Sequence, residues 1–326
     1  MLSWHKVKVV TKMNDELDII AVGESLVEFS ANESLLYANS LDKFYGGDAI
    51  CTAIAATRLG SKVGYISRVG NDNFKDYLLD SWQSEGLDIS QVKLVEGTNG
   101  LYVMTRAENG EREFVYYRKK TAGCCLAVED ISEDYLKKSR VFYSTGVLQA
   151  LSLSAKEAIK VAYENAKKHN LITAYKPNFL PKLLSVEEAK ENFDDVAQNV
   201  DILFLSIKKD AKNLFEIETM DNLIKHFWDL GIGTIVVKVS DQKCYYTGFN
   251  GDVQRTDFYT DQVVDTTCSG DAFAGAFLHG IVHGMGQMEA TRLAAIVEGL
   301  QAQKIGAIKS IPTKEEVMNI FKGANG

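Results

Sequence analysis

Short β-branched runs alternate with amphipathic helical stretches along most of this chain, and few folds accommodate that alternation. Asp18-Ile19-Ile20-Ala21-Val22-Gly23 reads as a buried strand ending in a glycine turn. A helix is predicted over 49–59, where Gly60 stops it, followed by a strand over 62–69 and a helix over about 73–85. After Arg140 the pattern resumes, with strands over 141–143, 171–175, 202–205 and 234–239 and helices over 154–169 and 186–198. From Gly270 onward the chain is helical, over 271–283, 288–304 and 314–321. These are βαβ units, and they predict an α/β fold: a mostly parallel central sheet flanked by helices in three layers. The middle differs. Strand-like runs over 100–106 and 111–118 flank Asn109-Gly110, a strong hairpin turn signal, and with 25–37 they predict a small separate sheet.

Bulk properties narrow the function classes. With only Pro177, Pro181 and Pro312 and no Pro/Ser-rich linker, residues 17–326 read as one domain behind a flexible extension over 1–16, with Met13 as a candidate alternative start. A net charge of -8 disfavours a nucleic-acid partner, and no apolar run approaches a membrane span. The five cysteines lack metal or redox spacing, which predicts a reducing cytoplasm with no disulfide scaffold and no protein metal site. His279 and His283 stand four apart on a predicted helix without a third ligand, so packing is the better reading. The dinucleotide fingerprint and the Walker phosphate loop are both absent.

The chemistry concentrates in Val263-Val264-Asp265-Thr266-Thr267-Cys268-Ser269-Gly270-Asp271-Ala272-Phe273, where a strand end meets a small-residue helix. A helix that begins at Ser269–Asp271 aims unpaired N–H groups and its positive dipole end outward, a site for a transferring phosphoryl group. Gly270 permits close backbone approach, and Asp271 is placed to accept the proton of an attacking hydroxyl. A thiol at Cys268, beside a helix N-terminus, is also a candidate for a lowered pKa.

This string resembles the second signature of ribokinase-type (PfkB) carbohydrate kinases, Asp-Thr-x-Gly-Ala-Gly-Asp, with Cys268 and Ser269 in place of Gly and Ala. Tyr45-Gly46-Gly47-Asp48 and the following helix to Leu59-Gly60 resemble the first signature, and Val69-Gly70-Asn71-Asp72-Asn73-Phe74 the turn after it. The run ending Tyr116-Tyr117-Arg118, together with Lys176-Pro177-Asn178, is similar to the 2-keto-3-deoxygluconate kinase and fructokinase subgroup. The resemblance implies a ribokinase-like fold with a β-lid over about 25–37 and 98–118. It also implies ATP with Mg²⁺ as cofactors and a small sugar or sugar-acid substrate. Lid-to-lid homodimers are common in that family.

Residue by residue, the resemblance carries catalysis to Asp271 as base, with Gly270, Ser269 and Cys268 as the anion hole. Substrate contacts fall on Gly46, Gly47, Asp48, Cys51, Tyr102, Arg118 and Asn178. Nucleotide contacts fall on Lys238, Ser240, Thr266, Gly270, Gly306 and Ala307. Departures cluster on functional positions. Cys51 replaces the substrate-site Asn, Lys176 an Asp, and Leu180 the Arg that pairs with a keto-acid carboxylate. Ser206-Ile207-Lys208-Lys209 replaces the Asn-x-x-Glu tied to Mg²⁺, and Glu298 stands beside the expected adenine site. An active kinase with a rebuilt nucleotide site, a fold-retaining binding protein and a nucleoside kinase are the readings these departures leave open.

Overall fold

The computed structural model describes residues 16–106, 112–260 and 262–323. The Asn109-Gly110 turn and the extension over 1–15 lie outside the described residues. Among the described residues thirteen strands form two sheets. They are β1 (Leu17–Val22), β2 (Leu26–Ser30), β3 (Asp42–Gly46), β4 (Val63–Gly70), β5 (Val92–Val95), β6 (Leu101–Arg106) and β7 (Arg112–Tyr117). After these come β8 (Ser139–Thr145), β9 (Ile172–Lys176), β10 (Ile202–Ser206), β11 (Thr234–Val239), β12 (Cys244–Phe249) and β13 (Asp252–Asp257).

The large sheet has nine strands in the order β13-β12-β11-β10-β9-β8-β1-β4-β5. From β5 to β11 every neighbouring pair is parallel, and β12 and β13 add an antiparallel edge. Because side chains alternate across a strand, each inner strand feeds both faces. Ile19, Ala21, Val141, Tyr143, Ile202 and Phe204 join one core cluster. Ile20, Val22, Phe142, Leu203 and Leu205 join the other. Helices Asp48–Leu59, Ser269–Val282 and Gln287–Ala302 cover the first face, and Leu153–Lys168, Val186–Ala197 and Met220–Asp229 the second. The continuous apolar runs of the strands are thus explained by burial on both sides.

The small sheet runs β3-β2-β6-β7. Its second segment is where the sequence placed it, but the first needs correcting: only Leu26–Ser30 of 25–37 is strand, and β3 follows at Asp42–Gly46. Asp42-Lys43-Phe44 is mostly exposed, so burial left no apolar run to read. The β12–β13 hairpin was also missed, although its turn residues Asn250 and Gly251 both have positive φ (52° and 79°), as a tight hairpin requires.

Two helices of small residues bring the signature segments together. A Cβ on Gly275 would stand 2.2 Å from the carbonyl oxygen of Thr52, so only glycine lets Ser269–Val282 lie this close to Asp48–Leu59. Cys51 and Cys268, 217 positions apart, are joined in a disulfide with Cα atoms 6.1 Å apart. This corrects the expectation that no disulfide would form. Sequence spacing carries no information about contacts made by packing. Among the described residues no helix is long and apolar enough to cross a membrane.

Candidate active site

Lys176 and Ser206 end β9 and β10, Lys238 is the next-to-last residue of the adjacent parallel strand β11, and a cavity of about 340 Å³ opens beyond them. This is where open parallel sheets bind ligands. Opposite the strand ends, the start of helix Ser269–Val282 closes the cavity with Cys268, Ser269, Gly270 and Asp271. Asn178, Lys238, Ser240 and Thr266 line it as well. Asn178 adopts a left-handed backbone (φ 48°), which asparagine tolerates better than most residues.

Asp271 is 8% exposed, and the Nζ of Lys176 donates to its Oδ1 over 2.5 Å. Burial pushes the Asp271 carboxyl up to about 6, opposed by the Lys176 ammonium and reinforced by the nearby Asp48 charge. Burial likewise disfavours the ammonium, but Asp271 more than compensates and holds Lys176 charged. The Asp271 side chain is therefore mostly an ionised carboxylate at neutral pH. Lys176→Met removes the cation that favours the carboxylate and raises the Asp271 pKa by roughly one to three units. A base acts deprotonated, so the acid limb of the kcat/KM profile should move from about 6 toward or beyond neutrality. An unmoved limb would show that Lys176 does not tune this group.

The turn before the helix offers fewer donors than the sequence suggested. Cys268 has φ 60°, which folds the chain back on itself. The amide of Ser269 consequently donates to the Thr266 carbonyl (3.2 Å) and that of Asp271 to the Cys268 carbonyl (3.0 Å). Among the described residues 268–271, the Cys268 and Gly270 amides lack a protein acceptor, so of the three residues expected to form the anion hole the Ser269 amide is already committed. The Cys268 thiol reading also fails, since its Sγ is bonded to Cys51, and Cys51 cannot contact a substrate through a free thiol.

A second ion-paired network stands across the cavity. Glu298 pairs with Lys238 and accepts from Tyr245 Oη (2.5 Å) and Ser269 Oγ (3.0 Å). Burial works against its charge, but these partners hold it below the usual carboxylate range. Asp265, deeper in the turn, accepts from the Thr267 amide (2.9 Å), the Gly306 amide (3.1 Å) and Arg112 Nη1 (2.7 Å). Arg112 also donates to Thr266 Oγ1 (2.7 Å), tying β7 of the small sheet to the signature turn. Gly306 and Ala307 do not line the cavity. The Gly306 amide donates to Asp265, and the Ala307 carbonyl accepts from Gln301 Nε2, behind the turn.

The remaining candidates gather at the small sheet. Gly47 (φ 142°) has no room for a Cβ, which would meet the Glu24 carbonyl oxygen at 2.5 Å. A Cβ on Gly46 would meet Tyr102 Oη at 2.6 Å. Asp48 accepts from Thr145 and from the Ala49 amide (2.7 Å), while Thr52 Oγ1 donates to the Asp271 carbonyl (3.0 Å). Tyr102 donates to Glu28 (2.5 Å), and Arg118 pairs with the buried Glu24. His279 and His283 stack at 4.2 Å, and His279 Nδ1 meets Ser61 Oγ at 2.8 Å, a packing role. Sequence reasoning missed Arg112, Glu24, Asp210 and Tyr245. It noted Lys176, Lys209 and Glu298 only as departures; Lys176 ends β9, Lys209 follows β10 by three residues, and Glu298 is on helix Gln287–Ala302.

A parallel α/β sandwich with a β-lid and a carboxylate at a helix start defines a ribokinase-like kinase. Residues 15–314 match the pfkB family carbohydrate kinase, and the chain belongs to that family. Fructokinase-1 of Oryza sativa subsp. japonica is 30% identical over 321 residues, covering 94% of this chain and 98% of that protein. The 2-dehydro-3-deoxygluconokinase of Bacillus subtilis is 26% identical over 311 residues, covering 94% and 96%. The crystal structure of a fructokinase with bound ATP from Xylella fastidiosa superposes with a TM-score of 0.83 at 20% identity, covering 95% of this chain and 99% of that one.

Proposed function

We propose that the chain moves the γ-phosphoryl group of ATP to a hydroxyl of a small sugar, with Asp271 as general base. The observation that carries this is Asp271 itself: a buried carboxylate at the edge of a cavity, raised to about 6, beside two uncommitted amides at a helix start. The acceptor O–H bond breaks toward the Asp271 carboxylate as the new O–P bond forms, and ADP leaves with the electrons of the severed O–P bond. The Cys268 and Gly270 amides and the dipole of helix Ser269–Val282 stabilise charge on the phosphoryl oxygens.

The substrate side favours a neutral sugar over a sugar acid. Leu180 offers no charge, and Arg118 is committed to Glu24, so neither residue clamps a carboxylate. Gly46, Gly47 and Asp48 remain for substrate hydroxyls. Mg²⁺ fits the cavity poorly as a protein-held ion, because Asp210, Asp271 and Glu298 already accept from amides or lysines. A cytoplasmic setting belongs to this reading, as does pairing of two copies through β7, where Tyr116 and Tyr117 are exposed.

An acceptor panel read by ADP release tests it. Fructose should be turned over ahead of 2-keto-3-deoxygluconate, and both ahead of a nucleoside. A second reading, nucleotide binding without transfer, draws on the Lys176 ammonium that occupies Asp271 Oδ1. Nucleotide binding with no ADP released on any acceptor would favour that reading and defeat the first.

A further inference from the structure

The charge plan of the cavity differs from that of a site built around a divalent cation. Each oxygen of Asp210 accepts a backbone amide, from Phe179 (3.0 Å) and from Ser206 (2.7 Å). Asp271 is held by Lys176, and Glu298 by Lys238, Ser269 and Tyr245. Among the described residues no group of three or more His, Cys, Asp or Glu side chains could hold a metal. Lys209 lies on the same rim, exposed, and among the described residues it makes no ion pair. It stands three residues past the end of β10, in the Ile207–Lys212 turn, and lines the same cavity as Cys268, Gly270 and Asp271, near enough for its charge to favour the Asp271 carboxylate.

A nucleoside triphosphate brings several negative charges to this space. An ammonium group neutralises phosphate directly, with three donors and no coordination geometry to satisfy. Hydrated Mg²⁺ instead needs carboxylate oxygens free to take its waters or the ion itself.

We propose that Lys209, assisted by Lys176, supplies the counter-charge for the polyphosphate, so that the nucleotide binds here without a divalent cation. This rests on the kinase reading above and identifies Lys209 as the residue that sets metal dependence. The test is calorimetric titration of the full chain with ATP, once with Mg²⁺ and once with EDTA.

The two Kd values should agree within about threefold, a difference under 1 kcal/mol. Lys209→Glu should bind at least about tenfold more weakly in EDTA and recover when Mg²⁺ is added, while Lys209→Gln should weaken in EDTA without that recovery. Lys209 is exposed, so neither change threatens folding. Binding by the wild type only in Mg²⁺ overturns the inference and leaves the kinase reading standing. Lys209 variants that match the wild type in EDTA overturn it too. Failure to bind ATP under either condition defeats the kinase reading itself.

Discussion

Asp271→Asn lowers kcat by about 10² to 10⁴, the range a positioned general base contributes. The amide keeps the volume of the carboxylate and an oxygen for Lys176 to bond, so the cavity retains its shape. What it loses is basicity: an amide oxygen does not take a hydroxyl proton near neutral pH. Removing one partner of a buried ion pair also costs stability, by about 3–5 kcal/mol in enclosed sites. Lys176 is only 14% exposed at its side chain, so some loss of melting temperature accompanies the variant. Catalytic and structural effects separate in the kinetics. Nucleotide affinity, which does not need the base, should stay within a few-fold while turnover collapses. A variant that keeps more than about a tenth of wild-type kcat would remove Asp271 from the chemistry.

Reducing the Cys51–Cys268 bridge lowers the unfolding free energy by as much as about 5 kcal/mol, the loop-closure contribution for a loop of this length. With 217 positions between them, the cross-link removes more chain entropy from the unfolded state than a local bridge would. Denaturation with and without reductant should shift the midpoint at constant slope, and Cys51→Ser with Cys268→Ser should reproduce the reduced protein and ignore reductant. If reductant leaves the wild-type midpoint in place, the bridge does not form in solution. The bridge also binds the helix that follows Gly46-Gly47 to the turn that precedes Asp271, so reduction should loosen the packing of these two segments. In a reducing compartment that stabilisation is withheld, because cytosolic thiols keep such pairs open.

Much of the architecture was legible because long-period patterns survive in the chain. Runs such as Ile19-Ile20-Ala21-Val22 demand burial on both faces, and only a covered parallel sheet provides it. The edge strands were hidden for the opposite reason. Arg255 in β13 and Lys43 in β3 face solvent, so neither strand had to be apolar. The Gly-Asp helix start was readable from local order alone, since a helix terminus has the same unpaired groups wherever it occurs. Its surroundings were not readable. That Cys268 turns left-handed and consumes the Ser269 and Asp271 amides depends on how the whole loop closes.

The order of residues therefore determined the layer structure, the family and the carboxylate at the head of the helix, because each is written in periodicity or in a contiguous string. Tertiary structure decided which distant side chains meet: the ion pairs Lys176 with Asp271, Lys238 with Glu298 and Arg118 with Glu24, and the disulfide of Cys51 with Cys268. These pairs are 95, 60, 94 and 217 positions apart. Side-chain electrostatics acts over a few ångströms, and only the packing of strands and helices determines which distant residues come within that range.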